Sequence, residues 1–180
     1  MSLVVLVGNP REASRTRAAA VEAAGAVGER IGVPPPYDVV DLAGLAPHLL
    51  SPVRSPGVES ALERVAGASV LVVASPTYKG TYTGLLKVFL DRLPPRALAG
   101  TTALPLLMMG DPAHSPAVEV HLRPLLVELG ALVPTPGLAL LESQLPELTE
   151  VLAAWADRVA PQAGIPSEKV GIEGLTPPPA

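Results

Sequence analysis

The chain alternates short apolar runs with longer segments whose apolar residues recur at helical spacing. Leu3–Val7, Tyr37–Asp41, Val70–Ala74 and Ala103–Met109 are such runs, and a fifth, Ala131–Val133, continues towards Leu138–Leu141. Several are rich in valine, and an unbroken apolar run bounded by turn residues is the pattern of a strand buried on both faces. Between them the spacing predicts helices over Ser14–Ile31, Val58–Ala66, Tyr82–Leu93, Pro116–Leu129 and Pro146–Val159. This alternation predicts an α/β domain of three layers, with a five-stranded parallel sheet sandwiched between helices. Its expected order is 2-1-3-4-5, in which ligands bind beyond the carboxyl ends of the strands, where the winding reverses.

The helix over Tyr82–Leu93 carries Leu85, Leu86, Phe89 and Leu90 on one face, and Val88 and Leu93 widen the apolar arc beyond what one sheet face covers. It is expected to be deeply buried or to meet another subunit. The loop Ala43–Gly57 contains Pro47, Pro52 and Pro56 and is long enough to be expected to have a role. Residues 1–160 are expected to form the domain, and 161–180, with Gly164, Pro166, Gly171, Gly174 and Pro177-Pro178-Pro179, a loosely ordered tail.

Composition narrows the chemistry. At 180 residues a single domain is expected. Hydrophobic residues at 48% against 17% charged exclude a disordered chain. A net charge of −4 argues against nucleic-acid binding, which needs a basic face. The absence of cysteine excludes disulfides, thiol nucleophiles and iron–sulfur clusters, so any redox chemistry must be borrowed from a cofactor. The apolar start, Leu3–Val7, lacks a basic flank and is too short for a secretory segment or a membrane span, so a cytoplasmic protein is expected.

Three loops at the expected carboxyl edge carry the candidate chemistry. The first runs from Gly8 through Asn9, Pro10, Arg11, Glu12 and Ala13 to Ser14, Arg15, Thr16 and Arg17. Ser14 reads as an N-cap, and arginines crowd a helix start whose dipole already favours anions. With no Lys-Ser/Thr pair and no second glycine the loop suits one phosphate monoester rather than a triphosphate. A solvated helix start with scattered arginines is the alternative. The second loop, Ser75–Gly84, offers Pro76 and Gly80 for a tight turn, Thr77 and the cation of Lys79, and the flat surfaces of Tyr78 and Tyr82. Backbone donors beside a stacking wall are what a flavin ring needs; a turn whose tyrosines cap the core is the alternative. The third, Gly110–Ser115, contains His114, which reads as a pocket-lining or helix-capping residue, because His121 is its sole potential co-ligand and no third stands nearby. No nucleophile elbow or metalloprotease motif occurs.

Gly8-Asn9-Pro10-Arg11 followed by Ser14-Arg15-Thr16 resembles the phosphate loop of the NADPH-dependent FMN reductases, with Asn9 in place of the usual serine. Ser75–Lys87 is similar to that family's flavin-ring loop and following helix. Leu93–Gly100, Gly110 with Ala113-His114, and Leu122-Arg123-Pro124 resemble the branch that supplies reduced flavin to sulfonate monooxygenases, although Val120-His121 stands where that branch often has a tyrosine. The resemblance spans about residues 3–133 and implies a flavodoxin-like fold, a homodimer or homotetramer, and hydride transfer from NADPH or NADH to FMN. It implies that Asn9, Arg11, Ser14, Arg15 and Thr16 hold the phosphate, that Pro76, Thr77, Tyr78, Lys79 and Gly80 face the ring, and that Gly110 and His114 close the other side. No side chain acts as a catalytic base in this reading, because the flavin carries the chemistry. A flavin-dependent monooxygenase is the expected partner. The rivals are an FMN-retaining quinone, azo-dye or chromate reductase, a flavodoxin-type electron carrier, and a scaffold that has lost its ligand.

Overall fold

The computed structural model describes residues 1–163. Strands β1 (Leu3–Val7), β2 (Asp38–Asp41), β3 (Val70–Pro76), β4 (Thr102–Met109) and β5 (Leu138–Leu141) form one parallel sheet in the order β2-β1-β3-β4-β5, the order expected from the run pattern. Val5 pairs with Val72 and Val72 with Leu104, so aliphatic side chains line up in rows across the sheet. Every residue of β1 and β4 is buried, which is why these runs do not alternate with polar residues.

Period-two alternation of side chains divides the core into two layers. Leu3, Val5, Val7, Val72, Leu104 and Leu106 pack with α1 (Arg15–Ile31) and α6 (Leu148–Ala163). Val4, Leu6, Leu71, Val73 and Leu107 pack with α3 (Pro56–Ala66), α4 (Gly84–Leu90) and α5 (Arg123–Glu128), and a one-turn helix α2 (Ala46–Leu49) adds Leu49 to this layer. A core poor in aromatics is filled by close approach. On α1 the buried residues Ala19, Ala20, Ala23 and Ala24 present almost no side chain, so the helix axis lies near the sheet. Arg30 fixes α1 to α6, donating to Asp157 Oδ1 at 2.6 Å and to the Ala153 carbonyl at 3.2 Å. Phe89 of α4 is fully buried, and its truncation to alanine is expected to cost about 3–5 kcal/mol.

Several expected boundaries move, each for a local reason. Ala131–Val133 is not a strand; Leu132 makes a single parallel bridge with Thr102, and the ladder resumes at Leu138 after Pro134 and Pro136, which have no N–H to donate. The helix expected over Tyr82–Leu93 spans Gly84–Leu90, capped by Thr83, whose Oγ1 accepts the Leu86 N–H at 3.2 Å. Of its wide apolar arc, Leu86, Phe89, Leu90 and Leu93 are buried, and Leu85 and Val88, partly buried, pack on the same core. The segment expected as one helix over Pro116–Leu129 opens with a π-helical turn, Val118–Leu122, in which Arg123 N–H reaches back to the Val118 carbonyl. Pro124 follows, and a proline offers no N–H and crowds the carbonyl four residues back, which favours the wider turn. The last helix starts at Leu148, after a 3-10 turn over Glu142–Glu147 that contains Pro146. Residues 161–163 of the expected tail belong to α6, and the rest of that segment lies outside the described residues. The Ala43–Gly57 loop contains a 3-10 turn and α2, and it leaves Leu50 and Val53 exposed. No helix among the described residues is long and apolar enough to cross a membrane.

Candidate active site

The chain leaves β1 under a steric constraint. Gly8 donates its N–H to the Ala74 carbonyl at 2.7 Å, and a Cβ at this position would lie 2.6 Å from Leu86 Cβ. Such an overlap with a buried helix admits glycine and little else, so the first loop starts pressed against α4. Asn9, buried, then shapes the loop: its Oδ1 accepts the Arg11 N–H at 2.9 Å and its Nδ2 donates to Thr16 Oγ1 at 3.1 Å. Thr16 Oγ1 in turn lies 3.9 Å from Met108 Sδ, a weak contact that ties the loop to the end of β4. Ala13 takes a left-handed conformation at φ 48°, strain that a non-glycine residue accepts where the surroundings dictate it. Ser14 is the N-cap expected from the sequence, its Oγ accepting the Arg17 N–H at 3.2 Å. The N–H groups of Arg15 and Thr16, in the first turn, have no intrahelical acceptor and lie at the positive end of the α1 dipole.

The second loop is a two-residue hairpin. Tyr78 and Thr81 exchange backbone hydrogen bonds at 2.8 and 3.4 Å across Lys79 and Gly80, both left-handed with φ 53° and 83°. Thr77 N–H donates to the Met108 carbonyl at 2.7 Å. The N–H groups of Thr77 and Tyr78 are thus engaged, while those of Lys79 and Gly80 donate to no acceptor among the described residues. The Thr77 hydroxyl is buried without a hydrogen-bond partner. Ser75 and Thr83 join the two loops. Ser75 Oγ accepts the Thr83 N–H at 3.0 Å, and Thr83 Oγ1 donates to the Gly8 carbonyl at 2.5 Å. Neither residue was singled out as a positioning group from the sequence; a polar residue at the end of an apolar strand and an N-cap threonine were the available signals.

Between the loops lies a cleft of about 420 Å³. Of the expected phosphate residues Asn9, Arg11, Ser14, Arg15 and Thr16 all line it, and of the ring loop Pro76 and Tyr78 do. Thr77, Lys79 and Gly80 share the same turn but do not line the cleft, and neither do Gly110 and His114 on the third loop. Tyr82 is half-buried against the core rather than facing the cleft. Met108 and Glu142 also line the cleft and were not foreseen, although each stands at or just after the carboxyl end of its strand, β4 and β5. Arg15 pairs with Glu142 at 2.9 Å and Arg17 with Asp41 at 3.5 Å, so carboxylates from the ends of β5 and β2 already meet the helix-start arginines. A second cleft of about 580 Å³, beside Gly28, Val33, Pro35 and Tyr37 at the far end of α1, is more apolar and has no cation in its lining. Among the described residues no group of three His, Asp or Glu side chains is placed to hold a metal ion.

Residues 1–145, which contain both loops and the strands that carry them, match the family described as NADPH-dependent FMN reductase. The chain belongs to that family. It is similar to the FMN reductase (NADPH) of Escherichia coli K12, at 37% identity over 133 residues, covering 73% of this chain and 68% of that protein. It is 29% identical over 163 residues to the NADH-dependent FMN reductase SfnE of Pseudomonas putida, covering 88% and 87% of the two chains. Among solved structures, the apo form of the NADH:FMN oxidoreductase EMOB superposes with a TM-score of 0.80 at 32% identity, covering 89% of each chain. This FMN reductase is therefore an NAD(P)H:FMN oxidoreductase on a flavodoxin-like fold, with FMN and a nicotinamide nucleotide as its redox partners.

Proposed function

We propose that the Asn9–Thr16 loop receives the 5′-phosphate of FMN, that the Pro76–Gly80 turn receives its ring, and that the reduced flavin passes to a flavin-dependent monooxygenase. The observation that carries this reading is the start of α1. Ser14, Arg15 and Thr16 line one cleft, and a hydroxyl, first-turn N–H groups and a guanidinium are the donor set a phosphate monoester requires. Asn9 shapes the loop through Oδ1 and one Nδ2 hydrogen, and its second Nδ2 hydrogen remains a donor for the phosphate. Across the cleft, Pro76 and Tyr78 line the wall, Tyr78, 43% exposed, offers a surface against which a ring can stack, and the N–H groups of Lys79 and Gly80 at the tip of the same turn, outside the cleft lining, are the nearest unengaged backbone donors of that loop.

Bound FMN supplies the ring that accepts a hydride from the nicotinamide. The chain's own residues bind and orient. The phosphate loop anchors one end of the flavin, and the 76–80 turn, pinned through Ser75, Thr83 and Gly8, sets the position of the other. The protein works in the cytoplasm as a homodimer or homotetramer, with Gly110 and His114 closing the other side of the ring. Adding FMN to the purified protein and following NADPH and NADH consumption tests the reading. Flavin-dependent oxidation of at least one nucleotide is expected, and no oxidation of either overturns it. Flavin that stays bound through gel filtration would instead favour a retaining reductase that serves quinones or dyes.

A further inference from the structure

The charges lining the cleft cancel. Arg11 and Arg15 face it together with Glu12 and Glu142. A site evolved to grip a dianion is expected to carry surplus positive charge, so two carboxylates in its wall call for a reason. Glu12 belongs to the loop itself, but Glu142 reaches the cleft from the end of β5, 127 residues away in the chain. Its Oε1 lies 2.9 Å from an Arg15 guanidinium nitrogen, the distance a phosphate oxygen takes from the same donor. The position is built rather than incidental. Leu141 N–H donates to Gln144 Oε1 at 2.9 Å, closing the turn that presents Glu142, and Thr149 Oγ1 donates to Glu22 at 2.9 Å, fixing the following helix on α1. Both partners stay open to water, with side chains 66% and 43% exposed, so the pair is weak and exchangeable.

We propose that Glu142 is a built-in competitor for the flavin phosphate: it shares Arg15 with the phosphate and repels it, which keeps FMN affinity modest and lets the flavin leave. This rests on the phosphate reading of the Asn9–Thr16 loop. The role is one of tuning, and Glu142 touches no reacting atom.

The test measures Kd for FMN and for riboflavin, which carries the same ring without the phosphate, by flavin fluorescence in the parent, E142Q, E142A, R15Q and the R15Q/E142Q pair. E142Q and E142A are expected to bind FMN about fivefold more tightly with riboflavin unchanged. In the R15Q background the gain is expected to fall by at least half. FMN affinity that does not change, an equal shift for both flavins, or a gain undiminished without Arg15 overturns the competition. A parent that binds FMN and riboflavin alike overturns the phosphate reading and this inference with it, whereas a parent that prefers FMN while E142Q and E142A match it overturns the inference alone.

Discussion

Arg15 beside the cleft and Arg123 at the start of α5 each pair with a glutamate, Glu142 in one case and Glu119 in the other. The Arg123 guanidinium donates to both Glu119 oxygens and to the carbonyls of Val133 and Pro134, and Glu119 also accepts the Gly137 N–H at 2.7 Å. The Arg123 side chain is 17% exposed, and four hydrogen bonds leave it little to offer a ligand. Arg15 has one such contact and is 66% exposed. The first assembly clamps the irregular stretch after α5 so that the chain can re-enter the sheet as β5. The second leaves most of a guanidinium fork available at the end of a helix. Residue type does not separate these roles; saturation of the donors does.

The largest effect that would test this contrast is expected at the clamp. Arg123→Ala removes the partner of a half-buried carboxylate and strands two carbonyls, so thermal or urea unfolding is expected to show a loss of about 3 kcal/mol. FMN affinity of the folded fraction is expected to stay within about twofold of the parent, because no cleft residue is touched. A variant that loses FMN binding in proportion to stability would erase the distinction.

A smaller effect is expected at the cleft, where one side chain has both duties. Ser14→Ala removes the N-cap acceptor of Arg17 N–H and is expected to cost about 1 kcal/mol of stability. It also removes the proposed phosphate donor, so FMN is expected to weaken more than riboflavin in the same binding assay. Equal weakening of both flavins would confine Ser14 to capping.

The smallest effect is expected in the pH dependence. The hydrogen bond from Arg123 holds the Glu119 carboxyl below the ordinary carboxylate value, with help from Gly137 N–H and against a desolvation cost. Because the folded-state pKa lies below the unfolded one, this contribution is complete above the ordinary carboxylate range and disappears as pH falls through the folded value. Glu119→Gln is therefore expected to flatten the acid limb of the stability curve measured by urea midpoints. An acid limb as steep as the parent's would show that other carboxylates govern it.

The helical and strand segments were legible because burial on both faces leaves a local mark. Leu3–Val7 and Val70–Ala74 are apolar at every position, and Ser14 and Gly32 bracket α1 as N-cap and left-handed C-cap. Most of the lining of the cleft was legible too, since hydroxyls, arginines and a helix start lie within nine residues of Gly8. Asn9, expected among the phosphate residues, lines the cleft, and its bonds to Thr16 and to the Arg11 N–H, which shape the loop, form only once the loop closes. For Tyr82, a flat surface for the ring and a cap on the core were both open readings, and it is half-buried against the core and does not line the cleft. The break between Leu132 and Leu138 was foreshadowed by Pro134 and Pro136, but the Arg123 clamp that bridges it was not.

By itself the sequence determined the apolar runs that become β1 to β4 and the cores of the main helices, which follow from periodicity, caps and breakers acting over a few residues. The alternation of strand and helix also pointed to the parallel order of the sheet, through the rule for doubly wound folds rather than through any local signal. The tertiary structure alone decided which charges meet. Arg15 and Glu142, Arg17 and Asp41, and Gly8 and Leu86 are brought together when the crossover connections return successive strand ends to one edge. Coulombic and steric contacts between them depend on distance in space, which has no signature in their separation along the chain.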